Sequence, residues 1–269
     1  MIDPQKVIYE TALNLELKTR RSEKKQVLIV KGGPGTGKSV LAVNLLAYFN
    51  THGRACHYVT KNSAPRSVYA AELTKDGKKK YFISNLFKSS DVYFNSRLND
   101  LDVLLVDEAH RLRLKSGIFS NKGENQTKEI IRAARLAVFF IDEEQRVTAA
   151  DAGSVAEIKR FAKEAGAAVT VLELDSQFRC NGSDGYLAWV DNVLGIKDTA
   201  NALDYGQDYD FKVFDSPTAL RREIESKNQN NKARLVAGYC WEWIKTGKDD
   251  PEVDDIVIPE TGFKASWNL

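Results

Sequence analysis

The segment from residue 32 to residue 39 constrains this chain more than any other feature. Its residues are Gly32, Gly33, Pro34, Gly35, Thr36, Gly37, Lys38 and Ser39. They match the pattern GxxxxGK[ST], with an apolar run before them (residues 26–31) and a helical pattern after. Glycines let the backbone curl so that several N–H groups point inward at phosphate oxygens, and the helix amino terminus adds partial positive charge. The sequence therefore predicts a nucleotide-phosphate cradle, with Lys38 on the β- and γ-phosphates and Ser39 on Mg²⁺.

Five apolar or β-branched runs alternate with helical patterns in the first two thirds of the chain. The runs cover residues 26–31, 55–60, 102–107, 137–142 and 169–174. Near-continuous apolar runs are typical of strands buried on both faces, and their alternation with helices predicts an α/β fold with a parallel sheet flanked by helices.

The pattern changes after about residue 179. Helical stretches cover residues 186–194, 217–225 and 232–244, with strand candidates at 211–214 and 255–258. We therefore expect two domains, an ATP-binding domain over residues 1–178 and the start of a smaller second lobe over 179–269.

The third run ends in Leu104-Leu-Val-Asp107-Glu108-Ala-His110. A carboxylate at the carboxyl end of a strand lies beside the phosphate loop in this architecture. Asp107 is expected to hold Mg²⁺ through its water shell, and Glu108 is expected to polarise the attacking water. His110 has two interpretations: it couples the nucleotide to nucleic acid, or it caps the loop.

Two later segments resemble motifs III and IV of superfamily 1 helicases. They read Phe139-Phe-Ile-Asp142-Glu-Glu-Gln145-Arg146 and Leu172-Glu-Leu-Asp-Ser-Gln177-Phe-Arg179. Residues 177–194 and 236–243 are also similar to the bacterial Schlafen-like DNA/RNA helicase domain family. This resemblance implies a RecA-like P-loop NTPase fold with two lobes.

The resemblance also implies roles for single residues. Gln145 would sense the γ-phosphate, and Arg179 would be an arginine finger supplied by the second lobe. Gln5, in Pro4-Gln5-Lys6, would read the adenine. A Gln side chain both donates and accepts hydrogen bonds, and the planar Arg fork suits phosphate oxygens.

Single-stranded DNA or RNA is the expected partner. The segment from Thr60 to Arg66 resembles motif Ia, which implies nucleic-acid contacts by Lys61, Pro65 and Arg66. Further basic residues follow Glu108, namely Arg111, Arg113, Lys115 and Lys122. Cations interleaved with aromatic residues suit single strands, although a charge run can equally be a solvated face.

Composition sets wider limits. The net charge is only +2, so charge by itself neither favours nor excludes nucleic acid. The cysteines Cys56, Cys180 and Cys240 have neither disulfide-framework nor metal-site spacing, which favours a reducing cytoplasm. No run reaches the ~20 apolar residues that span a bilayer.

These features together predict an ATPase that uses ATP and Mg²⁺, with the function of a superfamily 1-type helicase or translocase. The alternative is a non-translocating P-loop ATPase switch. A GTPase or small-molecule kinase ranks lower, because no Asn-Lys-x-Asp follows a strand. Nothing after Arg179 matches motifs V and VI, so the second lobe is expected to be incomplete and the activity weak.

Overall fold

The apolar runs form a six-stranded parallel sheet in the computed structural model. The strands are β1 (Gln26–Gly32), β2 (Cys56–Val59), β3 (Phe87–Lys88), β4 (Leu101–Val106), β5 (Ala134–Ile141) and β6 (Ala168–Leu174). Their order across the sheet is β3-β2-β4-β5-β1-β6, and every neighbouring pair is parallel. The five predicted strands are confirmed. β3 was not predicted, because two residues are too few to show a periodic pattern.

The structure describes residues 3–75, 80–117, 119–146, 148–174, 184–198, 211–238, 241, 250 and 252–266. The chain divides into two compact units, Met1–Asp204 and Tyr205–Leu269. None of the helices in the described residues is both long and apolar enough to cross a bilayer.

The described part of the first unit contains seven α-helices. They are α1 (Asp3–Ser22), α2 (Lys38–Thr51), α3 (Ser63–Lys75), α4 (Lys80–Leu86), α5 (Gln126–Ala133), α6 (Val155–Glu164) and α7 (Asp184–Val193). Successive side chains of a strand point to opposite faces. Leu28 and Val30 of β1 accordingly join the core layer that contains α1 and α2, while Val27 and Ile29 join the layer of α5 and α6. This is the RecA-like P-loop NTPase fold expected from the sequence.

The second unit contains α8 (Pro217–Lys227) and an antiparallel pair of strands, β7 (Ile256–Ile258) and β8 (Phe263–Ala265). Ser216 caps α8 by accepting a hydrogen bond from the Thr218 N–H group, and Pro217 occupies its first turn. The helix predicted over residues 217–225 and the strand predicted over 255–258 are thus present.

Two predictions in this unit are wrong. Residues 211–214 form no strand, and residues 232–238, the described start of the predicted helix 232–244, are not helical. Val213 is 82% exposed and Val236 is 85% exposed. An apolar pattern forms a stable element only where its side chains have a surface to pack against, and these two side chains are instead exposed to solvent.

Candidate nucleotide site

The loop 32–39 connects the carboxyl end of β1 to the amino terminus of α2. Gly35 and Gly37 have φ values of 79° and 87°, in the left-handed region that favours glycine. A Cβ atom on Gly32 would lie 2.8 Å from Thr36 Oγ1 and 3.0 Å from Leu174 Cβ. The sequence pattern therefore has a steric basis, because side chains at these three positions would open the curl of the loop.

Lys38 begins α2 and is buried within the loop. Its Nζ atom donates hydrogen bonds to the carbonyl oxygens of Gly32, at 2.5 Å, and Gly33, at 2.7 Å. Its positive charge also influences Asp142, just after β5. Burial raises the pKa of Asp142, and the charge of Lys38 opposes that rise. The ammonium group is thus held at the concave side of the loop.

Gln5 lies on α1, far from the loop in sequence, yet the structure brings the two together. Its side chain is buried, and its Nε2 atom donates to the carbonyl oxygen of Thr36 at 3.3 Å. The resemblance to helicases is what pointed to this residue, since no local pattern around residue 5 predicts a contact with residue 36.

Ser39 and Asp107, the two predicted Mg²⁺ ligands, are in direct contact. Ser39 Oγ donates to Asp107 Oδ2 at 2.7 Å, and the Tyr58 hydroxyl donates to the same oxygen. The Glu108 N–H group donates to Asp107 Oδ1 at 3.1 Å. Burial raises the pKa of Asp107, while the hydrogen bonds from Tyr58 and Ser39 oppose the rise.

Tyr58 was not predicted to belong to the site. It lies in the apolar run of β2, where its place in the strand indicates only a core residue, and its ring packs against Tyr69 and Phe87. Contact with Asp107 depends on β2 and β4 being neighbours in the sheet. The spacing of residues in the sequence does not reveal that β2 and β4 are neighbours.

The donor set around Ser39 and Asp107 fits Mg²⁺. A hydroxyl and a carboxylate are hard oxygen ligands, and Mg²⁺ is commonly held by one or two protein ligands together with waters and substrate phosphates. Within the described ranges, no group of three or more His, Cys, Asp or Glu side chains could hold a metal ion by itself. With Ser39 and Asp107 as its protein ligands, a bound Mg²⁺ would take its remaining ligands from water and phosphate oxygens.

Glu108, next to the predicted metal ligand Asp107, is joined to His110 by a hydrogen bond. His110 is 1% exposed, and its Nε2 atom lies 3.0 Å from Glu108 Oε2. His110 Nδ1 accepts a hydrogen bond from the Asp142 N–H group at 3.3 Å. Since Nδ1 accepts, we assign the proton to Nε2, which donates to Glu108. This hydrogen bond lowers the pKa of Glu108 against the opposing effect of burial.

Gln145 ends a 3₁₀ turn, Glu143–Gln145, directly after β5, and its side chain is half-buried. The loop that follows packs under the Glu108 turn, since a Cβ atom on Gly153 would lie 1.9 Å from the Ala109 carbonyl oxygen. Glu108 follows β4 and Gln145 follows β5. Because these strands are parallel neighbours, both residues lie at the carboxyl ends of the strands. Arg179, the predicted arginine finger, lies outside the described residues.

The predicted nucleic-acid contacts already have partners within the chain. Lys61 Nζ lies 2.7 Å from Asp91 Oδ2, and Arg66 donates to the Thr60 carbonyl oxygen. Arg111 pairs with the buried Asp151 at 3.2 Å. Pro65 lies in the first turn of α3. The sequence could not predict the ion pairs of Lys61 and Arg111, because their partners are 30 and 40 residues away in the chain.

A comparison with protein-family models shows which family this chain belongs to. The family model described as Schlafen group 3, DNA/RNA helicase domain, matches residues 25–269. The chain belongs to this family. The match covers nearly the whole sequence and confirms the resemblance drawn from the motifs. The chain is thus a helicase-like P-loop domain of the Schlafen group 3 family. No curated protein matches it.

Several solved structures resemble this Schlafen group 3 domain at low identity. Pif1 helicase from Candida albicans is 13% identical over 86% of this chain and 56% of its own, with a TM-score of 0.43. The Hef helicase domain from Pyrococcus furiosus is 15% identical over 68% and 39%, with a TM-score of 0.38. AMPPCP-bound DnaA from Aquifex aeolicus is 16% identical over 74% and 54%, with a TM-score of 0.34. The chain spans about half the length of Pif1 and DnaA, and similarities this low carry no argument about function.

Proposed function

We propose that this chain binds Mg²⁺-ATP in the loop 32–39 and hydrolyses it, as the ATPase domain of a superfamily 1-type helicase or translocase. The observation that carries the proposal is the 2.7 Å contact between Ser39 Oγ and Asp107 Oδ2, with Glu108 next in the chain. A hydroxyl and a carboxylate from two separate segments meet beside a glycine-rich loop. This combination supports a phosphate-bound Mg²⁺ better than a structural role.

Each residue of the site has a role in this proposal. Lys38 exchanges its hydrogen bonds with loop carbonyls for hydrogen bonds with the β- and γ-phosphate oxygens. Ser39 and Asp107 hold the cation, which neutralises phosphate charge when bound. Gln5, beside Thr36, contacts the adenine.

Glu108 accepts a proton from the water that attacks the γ-phosphate, so that ADP and inorganic phosphate leave. It is suited to this role because the hydrogen bond from His110 favours its ionised form. Gln145 orients the water or the γ-phosphate from the end of β5. Arg179 neutralises charge in the transition state.

Single-stranded DNA or RNA is the proposed partner, bound along the edge of the sheet where the segment from Thr60 to Arg66 and the Glu108 turn lie. One observation favours the alternative, a non-translocating ATPase switch. Lys61, Arg66 and Arg111 are engaged within the chain, which leaves them less available to phosphates. The two functions differ in one measurable property, the change in ATPase rate on adding single-stranded nucleic acid.

Lys38→Ala tests nucleotide binding. Two charge-assisted hydrogen bonds to phosphate would be lost, so the ATP affinity is expected to fall about 100-fold or more. Isothermal titration measures the affinity, and Lys159→Ala, an exposed lysine on α6, is the matched control. Unchanged ATP affinity in Lys38→Ala would refute the assignment of the loop.

Glu108→Gln tests the chemical step. The amide keeps the shape of the side chain but cannot accept a proton, so ATP binding should persist while turnover falls roughly 10²- to 10⁴-fold. Phosphate release, measured with and without single-stranded DNA and RNA, reports turnover and partner dependence together. Hydrolysis by this variant at the parental rate would exclude Glu108 as the base. If neither single-stranded DNA nor RNA changes the ATPase rate of the parental chain, the result would support the non-translocating ATPase switch instead.

A further inference from the structure

A short hairpin between the Glu108 turn and α5 presents an aromatic side chain to solvent. We call residues 113–117 and 119–124 the basic hairpin. Ser116 and Lys122 pair in antiparallel fashion through two backbone hydrogen bonds of 2.9 and 3.0 Å. Phe119 lies at the tip and is 85% exposed. A large aromatic ring placed so far into solvent needs an explanation, because such side chains are normally buried.

Buried side chains hold the base of the basic hairpin in place. Glu129 of α5 accepts from the Glu124 N–H group at 2.7 Å and from Ser116 Oγ at 3.3 Å. Gln126 Nε2 also donates to Ser116 Oγ, at 3.2 Å. Gly123 is necessary at the base, since a Cβ atom there would lie 1.9 Å from Glu129 Oε1. The basic hairpin is therefore anchored at its base, and Phe119 is exposed although the hairpin that carries it is held in place.

The basic hairpin carries positive charge around the exposed ring. It contains Arg113, Lys115 and Lys122, against a single acid, Glu124. Lys115 and Lys122 are exposed, whereas Glu124 is paired with Lys128 of α5. The net charge presented beside Phe119 is therefore positive, which suits a polyanion.

Asp91 connects the basic hairpin to the segment that resembles motif Ia. Its Oδ1 atom accepts from the Gly117 N–H group at 3.1 Å and from Gln126 Nε2 at 3.0 Å. Its Oδ2 atom accepts from Lys61 Nζ at 2.7 Å. The base of the basic hairpin and Lys61 thus lie on two sides of one carboxylate, at the same region of the sheet edge.

We propose that the basic hairpin is a contact surface for single-stranded nucleic acid, with Phe119 stacking on a base while Lys115 and Lys122 meet the flanking phosphates. This inference rests on the proposed function and deepens it by naming where the strand is held. Aromatic rings that stack on bases, beside cations that track the backbone, are the common means of binding single strands without reading sequence.

The test is the affinity of the full chain for a fluorescein-labelled oligothymidylate, measured by fluorescence anisotropy. Phe119→Ala is expected to weaken binding roughly tenfold, as removal of one stacking ring does, while Phe119→Trp keeps the parental affinity. The matched control is Leu98→Ala, which truncates an exposed apolar side chain at the amino end of β4. Lys115→Ala and Lys122→Ala should each lower the slope of log affinity against log salt, because each removes one phosphate contact.

A second readout reports the stacking directly. The indole introduced by Phe119→Trp should lose fluorescence when the oligonucleotide binds. Equal affinity of Phe119→Ala and the parental chain would overturn the inference, as would an equal loss in Leu98→Ala. If the parental chain binds ATP but no oligonucleotide, the inference falls while nucleotide binding stands. Nucleotide binding is tested separately, by comparing the ATP affinities of the parental chain and Lys38→Ala.

Discussion

Asp107 and Glu108 are adjacent carboxylates whose surroundings shift their pKa values in opposite directions. Burial raises the pKa of Asp107, and the hydrogen bond from His110 lowers that of Glu108. Glu108 also has a φ of 56°, an uncommon value for a residue with a side chain. Strained backbone is often found at functional sites. Glu108 contacts His110 while Asp107 contacts Ser39, an arrangement that suits two carboxylates with different roles.

His110→Ala should change the pH dependence of turnover. Without the hydrogen bond, burial is the main remaining influence, so the pKa of Glu108 rises. The base is active only when ionised, so turnover of the variant should begin to fall at a higher pH than turnover of the parental chain. Phosphate release measured between pH 4.5 and 8 gives both profiles, and exposed His52→Ala is the control.

ATP affinity at pH 8 should be similar in the parental chain and His110→Ala, which shows that the fold is retained. Identical acid limbs in the two profiles would mean that His110 does not control the protonation of Glu108.

At the scale of elements, the carboxyl end of α5 depends on one lysine from another part of the chain. Lys25 is buried just before β1, and its Nζ atom donates to the carbonyl oxygens of Ile131, Arg132 and Ala134. The last carbonyls of a helix lack partners within the helix and carry partial negative charge. Lys25 supplies both hydrogen bonds and a positive charge at this point, and so joins α5 to the amino end of the sheet.

Lys25→Met should destabilise the first unit. The variant keeps most of the side-chain volume but removes the Lys25 donor from the buried carbonyl oxygens of Ile131 and Ala134, at a cost of about 2 kcal/mol or more. Chemical denaturation followed by circular dichroism measures the free energy of unfolding. Lys24→Met, an exposed neighbour, should change it by less than about 0.5 kcal/mol. Equal stability of the two variants would show that Lys25 contributes no more than a surface lysine.

At the scale of the whole molecule, the described residues of the nucleotide site all belong to the unit Met1–Asp204. The same unit includes α7, whose Trp189 is 7% exposed. Just beyond α7, Lys197 pairs at 2.8 Å with Glu144, which lies in the same 3₁₀ turn as Gln145. The domain boundary expected at residue 178 stays a prediction, and these contacts lead us to propose a boundary near residue 204 instead.

Two fragments distinguish the boundaries. Residues 1–204 keep α7 and its buried Trp189, whereas residues 1–178 lose them and expose the surface that they cover. Loss of that burial costs roughly 2–3 kcal/mol, so the fragment 1–204 should unfold at a higher temperature, by about 4 °C or more. Differential scanning fluorimetry measures both midpoints. Equal midpoints would favour a boundary at residue 178.

Local patterns were enough to predict the centre of the site. The loop 32–39 is contiguous in sequence, and the backbone geometry that would hold phosphates is largely defined by those eight residues. The sheet and the position of Asp107 at a strand end were predicted for a similar reason, since a buried parallel strand has a recognisable apolar run. The family, too, was recognisable from the order of these motifs.

Contacts between distant segments were decided only by the tertiary structure. Tyr58 meets Asp107 because β2 lies beside β4, and Lys61 is paired internally because the loop carrying Asp91 lies next to it. The incorrect predictions over 211–214 and over 232–238, the described start of the predicted helix, have the same origin, since an apolar run becomes a strand or helix only where another surface covers it. Residue type and spacing determine what a segment can form. The order of strands in the sheet and the packing of loops determine which side chains meet, because those contacts are set by the free energy of the whole fold.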